Sequence, residues 1–525
     1  MRRPTPRRIL LSAILAAAVG AARAEVVLPG TQPRENDILF GKVDQCRMCH
    51  LLTKNGPADP FSSWESGMMA QAARDPVFRA ALAVANQDIA GIGEFCVRCH
   101  APRGWLEGRS TPADGSALLR EDLHGVSCDF CHHMLDPLGD EAKTLAKSIP
   151  PGYGNAMMVV DPKNVARGPY DDSQGAMPHS TLKSPYHATS QLCAVCHNVS
   201  NPAQAVDVNK QPPHSFGIVE RTYSEWALSD FAKRGPAGTC QSCHYPAVEG
   251  GGFPTLFGDR KRAYFVWHGP LGGSTWVQDA VFLLWPGQDI SRVSLDSGKE
   301  RTRQLLRTAA SLDLAFPAAG KARLRITNRT GHKLPTGYPE GRRMWVNVRF
   351  LDAAGKALKE IGQYGEKKDT VLGAAVSAPT LLDPEATTVY ESLPAISEAA
   401  AKKFGQKAGP SFHFVLNDII AKDNRIPPEG FKRAAFAEHL CQPVGATYAD
   451  GQYWDDIDLT LPDGAARVAV RLMYQSVSWE YVKFLAEEDK KDDWGKRLYD
   501  AWSKTGKCPP EAIAEIARDV AAKGN

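Results

Sequence analysis

Ten of the twelve cysteines fall into five copies of one pattern, Cys-x-x-Cys-His. The copies are Cys46-Arg-Met-Cys49-His50, Cys96-Val-Arg-Cys99-His100, Cys128-Asp-Phe-Cys131-His132, Cys193-Ala-Val-Cys196-His197 and Cys240-Gln-Ser-Cys243-His244. This spacing is typical of covalent haem attachment, in which both thiols form thioethers to the porphyrin and the next histidine binds the iron. The sequence therefore predicts five haem c groups, with His50, His100, His132, His197 and His244 as proximal iron ligands.

Two other uses of Cys-x-x-Cys pairs fit less well. A structural zinc site does not require a histidine directly after every pair. A thioredoxin-like redox motif occurs once per domain, beside a βαβ pattern. Five repeats with the histidine always in place favour haem.

Each iron also has a distal position, and nine histidines lie outside the motifs. His124 and His187 stand four and six residues before a motif cysteine, as distal ligands in compact multihaem proteins often do. His332 lies in Gly-His-Lys-Leu-Pro, a stiff loop that could present its ring inward. We take as distal candidates His124, His179, His187, His268 and His332, with His214, Met68 and Met69 in reserve. Core packing is the competing role of the two methionines.

Cys441 and Cys508 belong to no motif. In an oxidising compartment they could form one disulfide that ties the C-terminal tail to the preceding domain. The alternative is two buried free thiols.

The residues between the motifs predict short helices and loops. Ser62 to Arg74 carries apolar residues at helical spacing, and Asp75-Pro76 is a helix start that predicts a second helix to about Asp88. Residues 150–190 and the surroundings of Pro212, Pro213 and 250–252 are predicted loops. The motifs all lie within residues 46–244, about 40 residues for each, and so short a unit rarely folds without a bound group.

Beyond about residue 275 the pattern changes to the period-two alternation of strands. It occurs around Leu324, over 344–350 and over 468–474, and 352–355 is a predicted turn before another strand. We predict a mixed fold: a mainly α/loop pentahaem domain (25–275), an antiparallel β-sandwich-like domain (276–478) and a helical tail (479–525).

The N-terminus has the features of an export signal. Arg2, Arg3, Arg7 and Arg8 precede an apolar run that is too short to span a bilayer, and Ala22-Arg23-Ala24 is a small-x-small cleavage site. We predict a signal peptide over 1–24, a mature chain without a transmembrane segment, and a location in the periplasm or at the cell exterior. Residues 1–24 hold five arginines, so the mature chain has 57 basic and 59 acidic residues, which argues against a nucleic-acid partner.

Four segments resemble the multihaem cytochromes c of the cytochrome c554-related class. They are Trp64–Leu106, Glu220–His244, His268–Gly273 and Asn328–Trp345. The resemblance implies a periplasmic or surface electron-transfer protein with a haem domain and an appended β-domain. It also places His268 in the histidine-glycine element of that family.

Three functional hypotheses follow. The first is electron transfer between redox partner proteins, which needs no catalytic residue. The second is a multihaem oxidoreductase of a small nitrogen or sulfur oxyanion, which needs one iron with an open distal site. The third makes the β-domain a docking module for a partner or for a filament or oligomer of copies, and the sequence does not separate this from a structural cap.

Overall fold

The computed structural model describes residues 28–35, 38, 40–170, 179–205, 214, 216–257, 261–288 and 290–520. The predicted signal peptide and the predicted loop around Pro212 and Pro213 lie outside these ranges. Within them, no helix has both the length and the apolar character needed to cross a membrane.

Short helices and small strand pairs form the N-terminal part. Its helices are α1 (Val43–His50), α2 (Pro60–Glu65), α3 (Pro76–Asp88), α4 (Gly93–His100), α5 (Pro102–Leu106), α6 (Cys128–His133), α7 (Ala142–Leu145), α8 (Ser190–Ala194), α9 (Thr222–Ala227) and α10 (Cys240–His244). Its strands are β1 (Met134–Leu135), β2 (Val159–Val160), β3 (Val165–Gly168), β4 (Ser180–Lys183), β5 (Val199–Ala205) and β6 (Phe216–Glu220). Its 3-10 turns cover Thr53–Ala58, Arg120–His124, Pro185–Ala188, Asp230–Lys233 and Gly235–Gly238.

The second predicted helix is confirmed as α3. Asp75 caps it by accepting a hydrogen bond from the Val77 amide, and Pro76 is its first residue. The first predicted helix is wrong in extent, because α2 covers only Pro60–Glu65. The chain turns tightly after it, and a Cβ on Gly67 would lie 3.2 Å from Gly269 and from Pro270. This close approach, which the sequence pattern does not show, ends the helix.

Antiparallel sheets dominate the second half, together with six helices. The strands are β7 (Ala310–Ala318), β8 (Lys321–Asn328), β9 (Arg343–Leu351), β10 (Ala357–Ile361), β11 (Tyr364–Val371), β12 (Ala374–Leu381), β13 (Val389–Tyr390), β14 (Ser392–Ile396), β15 (Gly409–Pro410), β16 (Ile419–Asp423), β17 (Trp454–Thr460), β18 (Arg467–Gln475) and β19 (Glu511–Asp519). The helices are α11 (Val277–Leu284), α12 (Arg292–Leu306), α13 (Glu398–Phe404), α14 (Arg433–Glu438), α15 (Trp479–Glu488) and α16 (Trp494–Lys504), and Pro384–Ala386 is a 3-10 turn.

Two of the sheets pack face to face. One has the order β10-β9-β18-β19 with β13 beside β9, and the other has the order β17-β8-β7. Leu324 and Ile326 from the smaller sheet share one buried cluster with Val348, Phe350 and Val470 from the larger sheet. The predicted strands appear as β8, β9, β10 and β18, so the mixed fold with antiparallel sheets is confirmed.

The prediction of a helical C-terminal tail is wrong for its last part. Residues 479–504 form α15 and α16 as predicted, but Glu511–Asp519 forms β19 and pairs with β18 from Arg467↔Asp519 to Tyr474↔Glu511. Alanine and glutamate in this segment favour a helix, but the open edge of β18 offers a full ladder of hydrogen bonds and Ile513 becomes buried in the sandwich core.

The two halves also share a core. Val77 and Ala81 of α3 lie in one buried cluster with Trp276, Trp479 and Trp502. The predicted boundaries at 275 and 478 stay a prediction, because this cluster crosses both of them.

Candidate functional site

The five motifs have a common local geometry. Four of them lie on α1, α4, α6 and α10, and the fourth motif begins on α8 and continues as a turn. Residues three and four apart lie on one face of a helix, so the spacing brings both thiols and the histidine to the same side. Nine of the motif cysteines are partly exposed residues and Cys243 is exposed. These thiols therefore have access to a group bound at that face.

Cys441 and Cys508 are different, because both are buried free thiols. Cys441 packs with Phe431 and Phe436, whereas Cys508 lies in the cluster of Trp479 and Trp502. The two thiols thus belong to separate clusters, and the predicted disulfide is wrong. Each of the two is a buried core residue and not half of a disulfide bond.

The motifs contact one another in a branched series. Hydrogen bonds join segments at neighbouring motifs: the first with the third, the second with the fourth, and the fifth with the helix that carries the fourth. His187, six residues before the fourth motif, adds a link to the third, because its Nε2 lies 3.0 Å from the Cys131 carbonyl. The order is first, third and fourth motif, with the second and fifth both attached to the fourth, which we call the junction motif.

Hydrogen bonds fix these neighbours in place. The Gly41 amide, before the first motif, donates to Asp129 of the third motif at 2.6 Å. The Cys240 amide of the fifth motif donates to Ser190 Oγ, at the start of α8, at 3.0 Å. Ala156 links the second motif to the fourth, because its carbonyl accepts from Arg98 at 2.8 Å and its amide donates to the Val195 carbonyl at 2.7 Å.

Every proximal histidine has a partner at Nδ1. Four of these atoms lie against backbone carbonyls: His50 on Pro254 at 2.7 Å, His100 on Ala72 at 3.2 Å, His132 on Arg167 at 2.6 Å and His244 on Leu271 at 2.5 Å. A carbonyl can only accept, so Nδ1 carries the proton and Nε2 keeps its lone pair for a metal. Burial lowers the pKa of His100 and His244 to about 4, which keeps both rings neutral.

His197, in the junction motif, has a carboxylate partner instead. Its Nδ1 lies 3.3 Å from Oε1 of Glu220, the last residue of β6. Burial opposes a charge on this ring, but the Glu220 carboxylate outweighs it and raises the pKa of His197. The junction motif therefore differs chemically from the other four.

Three proximal rings face a second imidazole. The ring centroids are 6.5 Å apart for His50 and His179, 5.9 Å for His132 and His187, and 6.4 Å for His244 and His332. The ring planes in these pairs differ by 16°, 9° and 30°. Two imidazoles that share one metal ion at about 2 Å from each nitrogen have centroids about 6 Å apart. The three pairs thus fit bis-histidine ligation of one iron each.

The Nδ1 partners of these facing rings are consistent with that role. His332 Nδ1 lies 2.9 Å from the Lys333 carbonyl, and His179 Nδ1 lies 3.3 Å from the Ser180 carbonyl. His187 Nδ1 lies 3.0 Å from Ser184 Oγ, while its Nε2 lies 3.0 Å from the Cys131 carbonyl. Iron binding would replace this last contact.

The structure does not bring His124 or His268 against a proximal ring. The Arg74 guanidinium donates to His124 Nδ1 at 2.8 Å, so the proton of this ring sits on Nε2, the wrong tautomer for an Nε2 ligand. The His268 ring packs on Phe265 at 6.2 Å, although it is buried near His132 and its pKa is lowered to about 4 by that burial.

The reserve residues have other surroundings. His214 packs edge-on against His439 at 5.0 Å, and Met68 packs against the cluster shared by the two halves. The Met69 carbonyl accepts from the Val126 amide. His100 stacks on Phe78 at 3.8 Å, and among the ring contacts of the described residues neither His100 nor His197 pairs with an imidazole.

A buried charge cluster holds the His332 loop, and no sequence motif predicts this cluster. Lys333 Nζ lies 2.5 Å from Asp423, and the Lys333 amide donates to Glu225 of α9 at 3.1 Å. Arg425 donates to Asp423 at 2.6 Å. The side chains of Lys333 and Glu225 are fully buried. The cluster joins the loop between β8 and β9 to the haem-motif half and so sets the His332 ring opposite His244.

Comparisons with known proteins show the fold. No family model matches the chain, and no curated protein matches it. The crystal structure of a penta-heme cytochrome c552 from Thermochromatium tepidum matches 92% of this chain and 99% of its own chain, with a TM-score of 0.52 and 16% sequence identity. The two proteins share a fold over nearly their whole lengths.

Proposed function

We propose that this chain is a pentahaem electron carrier related to the multihaem cytochromes c. The observation that carries the proposal is the set of hydrogen bonds that places all five attachment motifs side by side in one branched series. The fold shared with a penta-heme cytochrome supports it. Haem c supplies one-electron chemistry when bound. Electron transfer between two haems is fast only where the haems are close neighbours.

The residues of the chain have three tasks in this function. The motif cysteines anchor each porphyrin through two bonds. The facing pairs of His179 with His50, His187 with His132 and His332 with His244 hold an iron from both sides, so the coordination stays the same in both oxidation states. The Nδ1 contacts keep the proximal rings in one tautomer and one orientation.

We infer that the protein works in the periplasm or at the cell exterior. The basic start, the short apolar run and the small-x-small site in residues 1–24 support export. Its partners would be redox proteins that donate and accept electrons. The near-balanced charge of the mature chain does not favour nucleic acid.

Mass and electron exchange test this function. The protein, expressed in a host that attaches c-type haem, is expected to have the mass of a chain from Glu25 with five haems. A potentiometric titration should then show five one-electron steps, and the reduced protein should reduce a second cytochrome in a stopped-flow mixing experiment. Four or fewer haems, or reduction of the protein without any transfer onward, would contradict the proposal.

A second candidate function rests on His100 and His197, which face no imidazole. If either iron keeps an open distal position, the protein could instead act as an oxidoreductase of a small nitrogen or sulfur oxyanion. The EPR spectrum of the ferric protein separates the two functions. A high-spin signal that changes on addition of nitrite, hydroxylamine or sulfite, with turnover of that compound, favours the enzyme. Five low-spin haems without turnover favour the carrier.

A further inference from the structure

One difference among the five proximal histidines is the charge of the group at Nδ1. Four rings meet a neutral backbone carbonyl, whereas His197 meets the carboxylate of Glu220 at 3.3 Å. The Glu220 side chain is only 10% exposed, so water screens its charge weakly.

The backbone holds Glu220 in this position. Glu220 is the last residue of β6 and pairs with Val199, two residues after His197, in β5. Arg221 next to it is buried and donates to the Val199 carbonyl at 2.8 Å and to the His439 carbonyl at 3.2 Å. The carboxylate is thus placed against the imidazole by the strand pair and not by a mobile loop.

We propose that Glu220 is the positioning residue of His197 and that its carboxylate lowers the reduction potential of the haem held by the junction motif. The inference rests on the proposed function and adds to it a specific role for this carboxylate. A carboxylate that accepts the Nδ1 proton makes the imidazole a stronger electron donor, and its negative charge favours ferric over ferrous iron. A backbone carbonyl orients the imidazole in the same way but carries no negative charge.

The location of this haem gives the effect a consequence for transfer. Hydrogen bonds place the junction motif beside the second, third and fifth motifs. A haem held there would have three neighbours, so a change in its potential would bear on transfer between the branches.

The test compares E220Q, E220D and E94Q with the wild-type holoprotein in a spectroelectrochemical titration. Glutamine keeps the shape of the side chain and removes its charge, whereas aspartate keeps the charge. Glu94 is a matched control, because it lies two residues before the second motif in α4 and accepts from Trp105 at 3.3 Å rather than from a proximal histidine. In E220Q we expect one step to move to higher potential, with about a tenfold change in the oxidised-to-reduced ratio of that haem at fixed poise. E220D should stay close to the wild type.

Paramagnetic NMR assigns the step that moves to one haem. The step that shifts in E220Q should belong to the haem on Cys193 and Cys196, while the other four titrate as in the wild type. A shift at another haem, or an E220Q shift no larger than that of E94Q, overturns the role of Glu220 and leaves the proposed electron transfer untouched. A protein without covalent haem shows no step at all, and both the function and this inference then fail.

Discussion

His332 shows how one side chain depends on partners far away in the chain. Its ring faces His244 at 6.4 Å, and the next residue, Lys333, is buried against Asp423 and Glu225. The inward position of the His332 ring was predictable from its stiff loop. The charge cluster was not, because Glu225 and Asp423 lie about a hundred residues away on either side and carry no motif. The sequence analysis missed the contact of Glu220 with His197 for the same reason.

Replacing His332 by alanine tests the facing pair. The motif with His244 should lose its second imidazole, so one of the five haems should become high-spin and bind cyanide while the other four keep their spectra. His439→Ala is the control, since its ring packs on His214 and faces no proximal histidine. An H332A protein with five low-spin haems and an unchanged titration would rule the pair out.

Replacing Lys333 by methionine tests the cluster that holds the loop. Asp423 and Glu225 would keep only Arg425 as a cationic partner, and breaking a buried ion pair costs about 3–5 kcal/mol of unfolding free energy. Lys422→Met removes a partly exposed pair with Glu391 and should cost less than about 1 kcal/mol. Denaturant unfolding of the two variants measures the difference, and equal losses would show that the cluster is not stabilising.

At the scale of elements, sequence patterns predicted helices and strands correctly where contacts within the element decide its structure. The Asp75 cap and Pro76 define the start of α3 from sequence alone, and the alternation in β8, β9 and β18 follows their burial in one core. Long-range contacts decided the failures. Gly67 stops α2 because Gly269 and Pro270 approach it, and β19 is a strand because β18 has an open edge.

The end of α3 provides a pH-dependent contact with the second half. Asp88, its last residue, lies 2.9 Å from His413 Nδ1. Burial disfavours the charged ring, but the Asp88 carboxylate outweighs burial and raises the pKa of His413. A pKa raised in the folded state means that this contact stabilises the protein fully below about pH 6.5, the unfolded value, and that the gain is lost as the pH rises through the folded pKa.

His413→Gln should therefore destabilise the protein more at pH 5.5 than at pH 8.5, by about 1 kcal/mol. Urea unfolding at the two pH values gives the comparison. Asp88→Asn should produce the same pH dependence, because it removes the other member of the pair. A loss of stability that does not change with pH in either variant would contradict the ion pair.

On the scale of the whole molecule, the haem-motif half and the β-rich half depend on each other. Val77 and Ala81 of α3 complete a core with Trp276, Trp479 and Trp502. The change of sequence pattern near residue 275 marks a change of secondary structure, but the sequence gives no sign that one cluster spans both sides of it. Composition and periodicity predict the two halves but not the interface between them.

A chain that stops at residue 275 tests this dependence. It would leave one face of α3 without its apolar partners and His244 without His332. We expect the fragment to be degraded rapidly by trypsin and to contain one additional high-spin haem compared with the full-length protein, which is treated in parallel. A protease-resistant fragment with the spectrum of the full-length protein would show that the halves are independent domains.

The position of His332 also bears on the order of events during biosynthesis. All five attachment motifs precede it in the chain. The His332 loop meets His244 only when β8, β9 and the segment with Asp423 have folded and Lys333 is enclosed. If the two rings bind one iron as proposed, the spin state of that haem would record whether the C-terminal half has completed its folding, and absorbance during refolding of the intact protein would follow its conversion.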